Sequence, residues 1–256
     1  KKEELLSMPD EPDNEKQWEP GELKQKLEEA NDLINQSREK ERKAHYFESE
    51  KLLLKARAIK EKILGAEHLE MAAVDNALGE VYRYQGKYGK AEELHKKSLQ
   101  IRERVLGEEH PDTATSYNNL AIVYERQGNY QKAEELYKKS LRISEQVLGE
   151  EHPDTATSYN NLAVVYERQG EYQKAEELYK KSLQIRERVL GEEHPNTAAS
   201  YNNLAVVYVS QGEYQKAEEL YEKSLRIRER VLGEEHPETA TSYNNLAVVY
   251  ERQGEY

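Results

Sequence analysis

The chain lacks cysteine altogether, has one Trp and one Phe, and contains only two Met among 256 residues. With no thiol present, disulfides, thiolate metal sites, iron–sulfur clusters and cysteine nucleophiles are excluded. Apolar residues are scarce as well, at 36%. Adding the 13 Gly brings them to about 41%, below the roughly 45–50% of an ordinary globular domain. A thick single core is therefore not expected. No apolar run approaches the ~18 residues of a membrane-spanning helix, and the N-terminal KKEELLSMPDEPDNEKQ has no apolar region of the signal-peptide kind. These features lead to the expectation of a soluble, unsecreted, cytoplasmic protein with no membrane partner. Positive charge is also in deficit: 38 Lys and Arg face 50 Asp and Glu, for a formal charge of −12. Mean hydropathy is −1.05. The acid excess argues against nucleic acid as a partner, since that surface rewards clustered Lys and Arg.

What is present is periodic. His-Pro recurs at His110-Pro111, His152-Pro153, His194-Pro195 and His236-Pro237, in steps of 42 residues. Ten of the 13 glycines keep the same period in two phases, one running from Gly65 to Gly233 and the other from Gly86 to Gly254. Residues 107–148 and 149–190 differ at five positions only: Ile122/Val164, Asn129/Glu171, Arg142/Gln184, Ser144/Arg186 and Gln146/Arg188. Such near-identity marks a tandem array.

Each unit reads as two helices. Pro111 with Asp112 behind His110 is a helix-start signal. Tyr117, Leu120, Ala121, Val123 and Tyr124 then follow at the spacing of one buried helix face, and Gly128 ends the helix. A second helix is predicted from about Tyr130 through Ala133, Leu136, Tyr137, Leu141, Ile143, Val147 and Leu148, ended by Gly149. Short gaps imply antiparallel neighbours. One such hairpin has too few large apolar side chains to offset the entropy of ordering 42 residues, so hairpins must stack, each touching mainly its neighbours.

Tyr117, Leu120, Ala121, Tyr124, Gly128, Tyr130, Ala133, Tyr137 and Ser140 fall at the spacings of the tetratricopeptide repeat. The 42-residue period and the wording HPDTATSYNNLAIVYERQGNYQKAEELYKKSLRI resemble the long-helix version of kinesin light chains and of related nephrocystin-like and microbial proteins. The resemblance runs from about residue 66 to 256. The first copy departs from it, with Leu69 for the Pro, Asp75 for the first Tyr and Ala77 for the second Asn. It implies an all-α fold, an α-solenoid of antiparallel hairpins in a right-handed superhelix. It further implies binding of a peptide or protein partner in a concave groove, with no catalysis and no cofactor.

In that family the groove is lined by one face of the first helix of each repeat. Carried over, the face is Thr115, Asn118, Ile122, Glu125 and Arg126 in the second copy, and Thr157, Asn160, Val164, Glu167 and Arg168 in the third. The offsets of 3, 4, 3 and 1 make one helical stripe opposite the Tyr and Leu face. The adjacent Asn119, Asn161, Asn203 and Asn245 match only the Asn part of the family variant that clamps chaperone C-termini, so that function is not expected. Asn amides offer donors and acceptors to an extended peptide backbone. The fourth copy departs from the third at six positions. Three of them lie on the stripe, which there reads Ala199, Asn202, Val206, Val209 and Ser210. An apolar partner side chain is expected against Val206 and Val209. Asn244 continues the stripe in the fifth copy.

Other constellations carry less. The His column cannot converge on one metal ion, because its members sit a whole repeat apart, so each His is expected at the start of a helix. Ser116, His110 and Asp112 recur along one structural element and do not form a hydrolase triad. Residues 1–20, including Trp18, are expected to be a loosely attached acidic segment. Residues 21–64 are read as a diverged N-terminal helix pair serving as a cap, with helices marked by Leu23, Leu27, Ala30, Leu33 and Ile34 and then by about 45–64. Repeats follow over 65–106, 107–148, 149–190, 191–232 and, in part, 233–256. The last copy shows only its first helix, so Tyr243, Leu246, Ala247 and Tyr250 are expected to form an open apolar face. Hence the alternative reading is a structural or spacer array, consensus-like or engineered, that self-associates head to tail.

Overall fold

The computed structural model describes residues 19–254, and among them every regular element is an α-helix. The acidic segment expected over residues 1–20, with Trp18, lies outside the described residues as far as residue 18. Glu19 and Pro20 belong instead to the start of a helix. The chain divides into two units, residues 1–66 and 67–256.

In the first unit, α1 (Pro20–Arg42) begins with a proline at its first position, where the missing N–H costs nothing. The Glu19 backbone N–H donates to Glu22 Oε2 at 3.3 Å. Lys40 and Arg42 sit at the end whose dipole favours cations. A turn through Ala44, at φ 55°, leads into α2 (Tyr46–Leu64). The hairpin is tied by the Ser49 hydroxyl donating to Glu41 Oε1 at 2.8 Å and by the Lys40–Glu48 ion pair. Ala30, Leu53 and Ala56 are its buried apolar residues.

The second unit stacks α3 (Leu69–Tyr84), α4 (Tyr88–Leu106), α5 (Pro111–Arg126), α6 (Tyr130–Leu148), α7 (Pro153–Gln169), α8 (Tyr172–Leu190), α9 (Pro195–Gln211), α10 (Tyr214–Leu232) and α11 (Pro237–Gln253). Each helix packs on the next along the chain. The His-Pro signal has a direct physical reading. The imidazole Nδ1 of His110, His152 and His194 accepts the backbone N–H two residues on at 3.1 Å, and that of His236 does so at 3.2 Å. Each ring thereby satisfies one of the orphan donors of a helix start. The two glycine phases also differ in cause. Gly149 ends α6 at φ 90°, ψ 157°, a region essentially closed to residues with a Cβ, while Gly170 ends α7 in the left-handed conformation.

Tyr117, Leu120, Ala121, Val123 and Tyr124 are all buried on α5, and Ala133, Tyr137, Leu141 and Ile143 are buried on α6. Burial of each large side chain contributes ~1.5–3 kcal/mol. One cluster runs unbroken from Leu99 to Val249, so every repeat junction is core. Val147 and Leu148, the last residues of α6, are 50% and 42% exposed. Polar clasps reinforce each junction: Tyr166 and Gln169 donate to Glu134 at 3.2 and 3.1 Å, and Lys138 holds the same carboxylate at 2.6 Å.

Candidate peptide-binding groove

The stripe predicted on the first helices lies along one face of the stack. Thr115, Thr157, Arg126, Arg168 and Ser210 are exposed, whereas Asn118, Asn160, Asn202, Ile122, Val164, Val206, Ala199, Glu125, Glu167 and Val209 are half-buried. Its asparagines are bonded to one another. Asn119 Nδ2 donates to Asn76 Oδ1 at 2.9 Å, Asn161 to Asn118 at 2.9 Å, Asn203 to Asn160 at 3.0 Å and Asn245 to Asn202 at 2.9 Å. This ladder joins α3, α5, α7, α9 and α11 directly. Each amide pair therefore fixes the spacing of two repeats before it can serve a ligand, and only its remaining donors and acceptors face outward. Asn244 in α11 is exposed.

Below the ladder, the Tyr137 hydroxyl donates to Glu125 at 3.1 Å and the Tyr179 hydroxyl to Glu167 at 3.0 Å. Burial, with the nearby carboxylate charge, pushes both phenols up. Burial also raises the Glu167 carboxyl, an effect that the Tyr179 bond and Arg168 only partly oppose. In the fourth repeat the acid becomes Val209. Tyr221, 3% exposed, then has no hydrogen-bond partner for its hydroxyl among the described residues. Burial, with the Glu167 charge second, raises its phenol to about 12.

The first repeat carries a different inner surface, which the family pattern did not anticipate. Glu80 stands at the Ile122 position, Arg83 at the Glu125 position and His95 at the Tyr137 position. Arg83 Nη2 binds Glu80 Oε2 at 2.6 Å, and its guanidinium lies 4.1 Å from the centre of the Tyr84 ring. The fully buried His95 places Nε2 3.3 Å from Glu80 Oε1 and Nδ1 3.2 Å from Asn76 Oδ1, where the asparagine ladder begins. Burial would raise the Glu80 carboxyl, but His95 and Arg83 outweigh it and hold it at about 2. Reading the 42-residue register back through the first copy locates Glu80, Arg83 and His95.

On α11, Tyr243 is 45% exposed, Ala247 is exposed and Tyr250 is half-buried, whereas Leu246 at 9% packs into the core beside Val249. The open face thus consists of Tyr243, Ala247 and Val248. Among the described residues no three His, Asp or Glu side chains converge on a metal-sized site.

A stack of hairpins with a continuous inner face of polar and apolar side chains defines an α-solenoid repeat scaffold. The tetratricopeptide repeat family model matches residues 70–146, 116–188, 154–230 and 207–256. The chain belongs to the tetratricopeptide repeat family, and its structural relatives are of the kinesin-light-chain-like type. It is 31% identical to a Podosopora anserina protein with nearly identical TPR-like repeats of the kinesin light chain kind, at a TM-score of 0.67, covering 83% of this chain and 97% of that one. BtubC (BKLC) from P. vanneervenii is 28% identical at a TM-score of 0.64, covering 91% of this chain and 85% of that one. No curated protein sequence matches the chain. The family is generally a non-enzymatic protein-interaction fold.

Proposed function

We propose that the chain is a non-catalytic scaffold that holds an extended segment of a peptide or protein partner along the stripe from Thr115 to Asn244. The observation that carries this reading is the break in the fourth repeat. There Val206 and Val209 offer an apolar floor, and the Tyr221 hydroxyl lacks the acceptor that Glu125 and Glu167 give its counterparts. The Tyr221 ring is buried while its hydroxyl has no acceptor among the described residues, so a ligand carbonyl placed over Val209 would gain a hydrogen bond there. Selection of a random peptide library on the whole chain tests this. Enriched peptides are expected to lose about tenfold or more in affinity for Val209→Glu, which restores the acceptor and fills the apolar floor. Peptides bound equally by both proteins would place the ligand elsewhere.

A second reading, head-to-tail association of copies, draws on the exposure of Tyr243, Ala247 and Val248. It requires a mass that grows with concentration and falls back to the monomer with Tyr243→Lys. A constant monomer mass removes it. Leu246 is unsuited to that test because it is already core.

A further inference from the structure

Helices α4, α8 and α10 each send an arginine into the junction with the following repeat. All three guanidiniums meet the same two acceptors, the carbonyl of the second residue of the next first helix and the serine hydroxyl four residues later. Arg102 Nη1 donates to Asp112 O at 2.9 Å and to Ser116 Oγ at 2.8 Å. Arg186 Nη1 donates to Asn196 O at 3.3 Å and to Ser200 Oγ at 2.8 Å, and its Nη2 adds Thr157 Oγ1 at 3.3 Å. Arg228 Nη1 donates to Glu238 O at 3.2 Å and to Ser242 Oγ at 2.7 Å.

Helix α6 breaks the series with Ser144. Its hydroxyl turns back to Ser140 O at 3.1 Å and lies 3.4 Å from Ser158 Oγ, so the space a guanidinium fills elsewhere is open. A cavity of about 330 Å³ results, bordered by Thr115, Asn118, Ser144, Asp154, Thr157 and Ser158 and holding no Lys or Arg in its wall. Leu148 beside it is exposed, whereas Leu106, Leu190 and Leu232, at the same register, are half-buried.

We infer that the Ser144 cavity receives the guanidinium of an arginine carried by the bound partner segment. The acceptors are already in place. Ser158 Oγ donates to Asp154 O at 3.3 Å, the same arrangement and distance as Ser200 with Asn196 and Ser242 with Glu238, where an arginine is seated. Thr115 stands where Thr157 supplies the third bond to Arg186, so this cavity repeats the fullest of the three intrachain sites. The planar fork of a guanidinium suits acceptors on two helices better than the point charge of an ammonium. Because Thr115, Asn118 and Thr157 belong to the stripe, a side chain leaving a segment laid along that stripe can enter here. The inference deepens the groove reading by naming a partner chemistry, and it rests on that reading only for the segment that delivers the arginine.

The test uses the whole chain and N-acetyl-L-arginine amide as probe, followed by amide NMR shifts at Ser144, Thr157 and Ser158. Saturable shifts with a Kd of order 1–10 mM are expected, since a single side chain engages few contacts. They are expected to be absent with the citrulline analogue, several-fold weaker with the lysine analogue, and abolished in Ser144→Arg, which fills the cavity from within and raises the thermal midpoint. Arg186→Ser should open a second site, with new shifts at Ser200. Absent or non-saturating shifts, shifts unchanged in Ser144→Arg, or a Ser144→Arg protein that melts at a lower temperature would each overturn the inference. Probe binding without any enriched library peptide would leave the cavity standing and remove the groove reading. Enriched peptides with no probe binding would do the reverse.

Discussion

The first and third repeats share one backbone and differ in what they bury at the same two places on the stripe. The third has Val164 and Glu167, with the Tyr179 hydroxyl as the acid's partner. The first has Glu80 and Arg83, with His95 beneath. The two carboxyls therefore respond to burial in opposite directions: Glu167 is raised by it, and Glu80 is held at about 2 despite it. A neutral hydroxyl opposes desolvation only in part, whereas a cation in contact overcomes it. Repeats that are interchangeable as packing units are thus distinct in electrostatics, and the difference is placed on the face proposed to meet a ligand.

Acid is the strongest way to break this comparison. With a folded-state value near 2 against an ordinary 4.5, Glu80 stabilises the fold fully above pH 4.5, and that contribution is lost as pH falls through about 2. A shift of this size corresponds to about 3 kcal/mol, an order-of-magnitude figure for a side chain that is 25% exposed. Glu167 acts with the opposite sign, its raised value favouring the fold at low pH and costing stability as pH rises through it. Urea midpoints measured from pH 6 to pH 2 should therefore fall less steeply for Glu80→Ile than for the parent chain, and more steeply for Glu167→Gln. Parallel curves for all three would refute the contrast.

A smaller effect concerns the space that His95 needs. Gly79 takes the place of Ala121 and Ala163, and a Cβ built on it would meet the His95 ring at 2.8 Å. Gly79→Ala is expected to destabilise by ~1–2 kcal/mol, the overpacking cost of ~1–3 kcal/mol exceeding the helix-propensity gain. Gly89→Ala, at an exposed position in the first turn of α4 with nothing within 4 Å, should instead gain ~0.5–1 kcal/mol. Chemical denaturation of both variants checks the sign.

The repeat period made the hairpins readable because each boundary carries its own local chemistry: an imidazole that accepts an N–H two residues on, and glycines at Gly149 and Gly170 whose positive φ angles disfavour any residue with a side chain. The stripe was legible for the same reason, since residues 3 and 4 apart must share a helix face. What escaped depends on distances between repeats. Asn118 and Asn119 read as ligand donors when one helix is considered, but as a ladder when residues 43 apart are placed side by side. Leu246 reads as open because the whole apolar face of α11 was assigned to a following helix. The face is in fact divided: Leu246 and Val249 turn back onto the preceding repeat, Ala247 is exposed, and Tyr243 leaves its ring half exposed while its hydroxyl donates to Glu229 of α10. Ser144 is one of the five differences between the second and third copies, and the consequence of a missing arginine is a space, which no residue type announces.

The smallest predicted effect isolates one oxygen atom. The third and fourth repeats differ at six of 42 positions, and Glu167 against Val209 decides whether the tyrosine hydroxyl beneath has an acceptor. Tyr179→Phe removes the hydroxyl that Glu167 accepts from and leaves a half-buried carboxylate short of one donor, a loss of ~1–2 kcal/mol. Tyr221→Phe removes a hydroxyl that has no partner, so its cost should be near zero in the free protein. The asymmetry should reverse when a library-selected peptide is bound. If the ligand supplies the acceptor that Val209 lacks, Tyr221→Phe weakens binding by about one hydrogen bond, roughly fivefold to tenfold, and Tyr179→Phe does not. Equal stability losses in the two variants would mean that the fourth repeat satisfies its tyrosine by itself, and the case for a ligand there would rest on Val206 and Val209 alone.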